Sequence, residues 1–291
     1  MPLSAFDEPS PARRWRRLGL ACVAATLAIA SFGAHADLML FPTRIVFDKN
    51  QRAAQVELIN QGKTPETYRI SVVNRRMSDS GEITPADSPE AGEQFADEML
   101  RYSPRQVTIA PGSSQTVRML LRKPAELGPG EYRSHLQFDR VAEPSAGSSV
   151  DAAADSGGDK VGVVITALVG ASIPVIVRQG ETQATVTLAQ LALEPPGAGA
   201  PPSLAFQILR QGNRSVYGDL AVTFVPRSGP PVEVAKAGGV AVYVPNPMRR
   251  ARMPLQLPAG VALAGGSLRL SYRERADSGG KLLAESILQL P

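Results

Sequence analysis

From Val161 to Val177 every odd position is apolar: Val161, Val163, Ile165, Ala167, Val169, Ala171, Ile173, Val175 and Val177. The even positions mix Gly162, Thr166, Gly170, Ser172 and Pro174 with Val164, Leu168 and Ile176. Successive side chains of a strand point to opposite faces, so a period of two fixes this segment as β with one dry face. At about 3.3 Å per residue such a strand spans more than about 50 Å, longer than a sandwich strand needs to be. Part of it is expected to serve something other than its own core.

The same period recurs along the chain. Ala54, Val56 and Leu58 alternate with Gln55 and Glu57; Tyr68, Ile70 and Val72 alternate with Arg69 and Ser71. Val117, Met119 and Leu121, and then Tyr132, Leu136 and Phe138, continue it. Turn chemistry punctuates the runs at Asn60-Gln61-Gly62-Lys63 and Ala110-Pro111-Gly112-Ser113. Gly 26 and Pro 25 together exceed one residue in six, against a usual share of about 12%, which disfavours long helices. Leu38 to Phe47 reads as an edge strand because Pro42 interrupts it. A second block of strands is expected at Val186–Leu193, Leu204–Leu209, Leu220–Val225, Val240–Val244, Leu268–Tyr272 and Leu282–Leu288. Short strands with regular turns are the pattern of all-β sandwiches, and 291 residues accommodate two at roughly 100–200 residues per domain. Pro144 to Lys160, rich in Ser, Ala, Gly and Asp, reads as a loop.

The N-terminus is read apart from the fold. Arg13, Arg14, Arg16 and Arg17 precede an apolar run from Leu18 to Phe32, followed by Ala34-His35-Ala36. A basic region, a short apolar stretch and a small-x-small site make a signal peptide over residues 1–36. The apolar run is shorter than the ~20 residues that span a bilayer. Export to the periplasm is expected, with no membrane insertion after cleavage.

Composition narrows the function. A net charge of +4 is too mild to mark a nucleic-acid binder, and 5% aromatic residues offer no base-stacking platform. Beyond residue 36 there is no Cys and one His, His135, so no metal site, no cofactor and no thiol chemistry is expected. A Ser–His–Asp site would need His135, which lies opposite Leu136 and Phe138 on its strand and reads as solvated. Arg249, Arg250 and Arg252 read as a solvated loop. The chain is expected not to be an enzyme. Binding through a sheet edge suits it better, since an edge offers unpaired N–H and C=O groups to a guest strand.

Five stretches in order resemble the periplasmic chaperones of the chaperone–usher pilus pathway. They are Phe41-Pro-Thr-Arg-Ile-Val-Phe47, Val56-Glu-Leu-Ile-Asn-Gln-Gly62, Tyr102 to Arg118, Pro129-Gly-Glu-Tyr-Arg133 and Ile173-Pro-Val-Ile-Val-Arg178. The likeness covers about residues 38–180; in the second block Gly212 to Asp219 is the most distinctive piece. It implies two immunoglobulin-like β-sandwich domains, 37–180 and 181–291, set at an angle with a cleft between them. It implies partners too: pilus or fimbrial subunits and an outer-membrane usher. Such a chaperone lends its last first-domain strand to a subunit whose fold lacks one, which here places the lent side chains at Val163, Ile165, Ala167 and Val169. The terminal carboxylate of that subunit would be held by Arg44. Pro174 falls where the family has a lysine, leaving either Arg178 as second cation or Arg44 alone. The alternative is a non-catalytic structural or adhesive β-sandwich protein of the cell envelope.

Overall fold

The computed structural model describes residues 38–141, 170–197, 199–258 and 260–291. The expected leader at 1–36 and the expected donor positions Val163, Ile165, Ala167 and Val169 lie outside the described residues. Within Leu38–Pro291, which forms one compact unit, the described architecture is all-β.

The first eleven strands are β1 (Leu38–Phe41), β2 (Ile45–Phe47), β3 (Ala53–Asn60), β4 (Glu66–Val73), β5 (Arg75–Met77), β6 (Ile83–Pro85), β7 (Leu100–Ser103), β8 (Gln106–Ile109), β9 (Ser114–Leu121), β10 (Gly130–Arg140) and β11 (Gly170–Gln179). They form one sheet in the order β1-β3-β9-β7, a second in the order β2-β11-β10-β4-β8, and the separate hairpin β5–β6. The alternating residues read from the sequence supply the core between the sheets. Val56, Leu58, Val117, Met119, Leu136, Phe138, Val175 and Val177 are fully buried, with Tyr68 and Ile70 nearly so. Each such side chain contributes about 1.5–3 kcal/mol by leaving water. Asn60 closes the turn after β3 from the inside. Its buried amide donates to the Thr64 and Ile109 carbonyls at 2.8 and 2.9 Å, and its Oδ1 accepts the Gly62 N–H.

The segment expected as one edge strand, Leu38–Phe47, is two strands in different sheets. β1 pairs antiparallel with β3, whereas β2 pairs parallel with β11, from Ile45↔Val175 to Phe47↔Val177. Pro42 lacks an N–H and cannot extend a ladder, so the chain crosses between sheets there. The crossing leaves β11 paired with β10 along Gly170–Gln179, while among the described residues its other flank is covered only at Val175–Val177.

Seven further strands follow: β12 (Ala184–Glu194), β13 (Ser203–Gly212), β14 (Val216–Val225), β15 (Val232–Val242), β16 (Met248–Pro254), β17 (Ser267–Arg273) and β18 (Leu282–Gln289). Their sheets run β12-β13-β16 and β15-β14-β17-β18, closing over Leu204, Ile208, Leu220, Val222, Leu268 and Tyr272. The basic triplet expected as a loop lies in β16, where Arg249, Arg250 and Arg252 pair with Ile208, Gln207 and Ala205. Cations on an edge strand mask its apolar period, which is one way an edge discourages unwanted pairing.

The two sandwiches meet through a small cluster of their own. Met77 and Ile176 from the first bury against Ala241 and Tyr243 from the second, with Val46, Ile83 and Tyr217 packed around them. The β5–β6 hairpin adds backbone ties: Asn246 Nδ2 donates to the Met77 carbonyl at 2.8 Å, and the Arg250 N–H donates to the Asp79 carbonyl at 2.6 Å.

Candidate functional site

The odd residues of β10, Glu131, Arg133, His135 and Gln137, share the face that turns away from the first core and toward the second sandwich. Period-two patterning predicts a polar face here, but not its burial. Glu131, Arg133 and His135 are 3%, 6% and 4% exposed, so the expectation of a solvated His135 is corrected: the second sandwich and the hairpin cover it.

Each buried charge on this face has a different fate. Arg178 of β11 sits beside Glu131 in the ladder, and its Nε lies 3.2 Å from the Glu131 carboxylate while Nη1 reaches Asp48 at 3.4 Å. Glu131 also accepts the Ser215 N–H of the second sandwich. Arg178 is therefore committed within the protein. Arg133 has no such acid among the described residues: its guanidinium stacks 4.4 Å from the Tyr243 ring, and burial holds its pKa below the ordinary value.

Arg44 stands at the start of β2, where β11's open flank begins. Its guanidinium lies 4.6 Å from the Tyr217 ring and 5.7 Å from the Tyr243 ring. Nη1 is buried without a hydrogen-bond partner, and no carboxylate among the described residues lies within ion-pair distance. Burial depresses its pKa, against which the Tyr243 and Glu131 charges act only partly. A guanidinium stays protonated even so, leaving a cation held ready by aromatic faces and lacking an anion.

The cavity in front of Arg44 has a volume of about 800 Å³ and opens between the sandwiches. Phe41, 68% exposed, stands on its wall. So do Arg178, Tyr217, Arg275 and Lys281. Both sequence-expected cations, Arg44 and Arg178, thus line one cleft, of which only Arg44 is free of an acid. Arg275 is the residue that sequence reasoning missed. It approaches the same Tyr217 ring as Arg44, at 6.0 Å, and touches Asp219 and Asp277 only at 3.6 Å. Nothing in Ser271-Tyr-Arg-Glu-Arg275 distinguishes it from a surface charge. Pro174 lies opposite His135 in the β10–β11 ladder and lines a different cavity, between the hairpin and β15–β16.

What this arrangement can do is set by direction. β2 runs parallel to β11. A guest strand laid along β11 at Gly170–Pro174 lies in line with β2 and ends against Arg44. If it runs parallel to β11, the end that arrives there is its C-terminus, and a carboxylate meets a guanidinium able to bind it through two hydrogen bonds. An antiparallel guest would bring an ammonium to a buried cation.

No family model matches the chain, and no curated protein matches it. Among solved structures it is similar to the pre-assembly complex of the CsuC chaperone with CsuE, a tip adhesion subunit, from the archaic Csu pili of Acinetobacter baumannii. That likeness is at 14% identity and TM-score 0.43 over 88% of this chain and 98% of that one. The chain is similar to the YadV chaperone at 12% identity and TM-score 0.42, covering 87% and 100%, and to the CupB2 chaperone of Pseudomonas aeruginosa at 13% and 0.41, covering 87% and 99%.

Proposed function

We propose that this protein is a periplasmic assembly chaperone that binds pilus or fimbrial subunits by donor-strand complementation and passes them to an outer-membrane usher. The observation that carries the reading is the juxtaposition, among the described residues, of Arg44, a buried cation without an acid partner, with a flank of β11 left uncovered at Gly170–Pro174. A cation at the end of an open edge selects both an extended guest and the guest's polarity. The ordered likeness of five sequence stretches to chaperone–usher chaperones supports the same reading, as does the leader expected at residues 1–36.

In this reading Arg44 anchors the terminal carboxylate of the bound subunit. Arg275, across Tyr217, supplies the second cation in place of the family's lysine, and Arg178 is left to its ties with Glu131 and Asp48. Val163, Ile165, Ala167 and Val169 are the side chains lent to the subunit. The Arg44→Ala variant tests the anchor. Co-expression with small exported β-rich subunits, followed by pull-down, is expected to recover the subunit with wild type and at least tenfold less with the variant, because removing one partner of a desolvated charge pair costs roughly 2–5 kcal/mol. Equal recovery by the two proteins rejects the reading.

A further inference from the structure

Six buried side-chain nitrogens of the described residues have no hydrogen-bond partner: Arg44 Nη1, Arg75 Nε, Arg133 Nε and Nη1, His135 Nδ1 and Arg249 Nε. Arg44 belongs to the cleft above. Arg75, His135 and Arg249 line a second, open cavity of about 440 Å³, bordered by the β5–β6 hairpin, the start of β11 and the β15–β16 edge. Arg133 lies two residues from His135 on the same face of β10. Each group lining this cavity that could hold positive charge thus carries an orphaned buried nitrogen, and buried polar groups in folded proteins are almost always satisfied.

Among the described residues no Asp or Glu lines the cavity. Of the acids on the elements around it, Glu93 pairs with Arg76, Asp79 with Arg250 and Glu131 with Arg178, while the exposed Asp139 accepts from Gln137 Nε2 at the rim of the cavity. Arg75 donates to Gln137 Oε1 at 2.7 Å and Arg249 to the Ala241 carbonyl at 2.8 Å, both neutral acceptors. His135 cannot supply a negative charge, and burial beside Arg133 and Arg75 keeps its ring neutral. Two half-buried guanidiniums from different sandwiches therefore border one space with no carboxylate among its described lining residues, a setting that favours an entering anion.

We infer that this cavity binds a small oxyanion of the phosphate class, held between Arg75 of the first sandwich and Arg249 of the second. The volume admits a free anion and not a folded partner, and two guanidinium forks suit a multi-oxygen acceptor. Occupancy would tie the hairpin to β16 and add to the bonds already joining the two sandwiches.

Titration of the purified protein with inorganic phosphate, at ionic strength matched with chloride, tests the site by thermal melting and calorimetry. Saturable binding is expected, with the melting temperature raised by about 3–5 °C at ten times the dissociation constant. Affinity is expected to fall at least tenfold in Arg75→Gln and Arg249→Gln and to be unchanged in Arg44→Gln, which separates this cavity from the cleft in front of Arg44. Ser172 is exposed and lines the cavity, so Ser172→Asp spares the core and delivers a carboxylate to the site. That variant is expected to melt higher than wild type without phosphate and to lose the phosphate response. Glutarate binding with the same variant profile supports the site with a carboxylate ligand. A response that chloride reproduces, that survives Ser172→Asp, or that Arg44→Gln alone abolishes overturns the inference.

Discussion

Glu131 and Ser215 join the two sandwiches directly: both carboxylate oxygens of Glu131 lie 3.2 Å from the Ser215 backbone nitrogen. The same carboxylate neutralises Arg178, so one buried acid serves two elements. Glu131→Ala is expected to destabilise the protein by about 2–4 kcal/mol in urea denaturation, because it leaves a buried guanidinium with only the more distant Asp48, beside an unmet N–H. The Glu131→Leu/Arg178→Met double variant should recover much of that loss, since no buried charge then lacks its partner. A loss as large in the double variant as in Glu131→Ala would show that the ion pair is not what stabilises this contact.

Arg275 is expected to contribute to guest binding less than Arg44 does. It is more exposed and shares its charge with Asp219 and Asp277, so Arg275→Ala should weaken binding of a peptide taken from the C-terminal strand of a pilus subunit about three- to tenfold. The same peptide with an amidated C-terminus should bind wild type and Arg275→Ala alike. Fluorescence anisotropy with the two peptides measures both effects; a loss in Arg275→Ala that is equal for acid and amide would remove Arg275 from the anchor.

The donor face is tested upstream of β11. Ile165→Asp puts an unpaired charge into the subunit's groove and is expected to abolish pull-down of the subunit while leaving thermal melting of the isolated protein unchanged. Thr166→Asp, on the mixed face, should be milder. Melting of Ile165→Asp as low as that of a core variant would shift the lent register by one residue.

His135 makes acid stability readable. Burial first, then the charges of Arg133 and Arg75, push its pKa down from 6.5 to about 3; Arg249 and Tyr243 line the same cavity. The folded protein keeps the ring neutral where the unfolded chain protonates it. Its contribution is therefore full above pH 6.5 and is lost as pH falls toward 3, at up to about 1.4 kcal/mol per pH unit. Between about pH 7 and pH 4 the wild type should lose stability faster than His135→Asn, and the two should run parallel between about pH 7 and pH 8. Parallel curves throughout would mean that His135 titrates normally.

The strands were legible wherever one face is dry and the other wet. Val56 and Leu58, or Leu136 and Phe138, announce themselves because their neighbours Glu57 and Gln137 are polar. His135, on the odd face of β10, was misread because burial by another sandwich leaves no local mark: with Glu131 and Arg133 it makes a polar face until Tyr243 and Ser215 arrive from distant parts of the chain. β16 was missed for the related reason that Arg249, Arg250 and Arg252 hide its period. Arg44 stood out as a lone cation in an apolar strand. Its partner rings, Tyr217 and Tyr243, and its neighbour Arg275 did not, because only the tertiary fold brings them together.

Arg133 and Arg44 both approach the Tyr243 ring, at 4.4 and 5.7 Å from its centre, and after burial the charge on Arg44 adds a smaller push to lower the Arg133 pKa. A carboxylate docking on Arg44 would lessen the repulsion felt at Arg133 as well. Free energy from filling the cleft would then be spread into the seam between the sandwiches, and the two halves would hold each other more tightly with cargo aboard than without it.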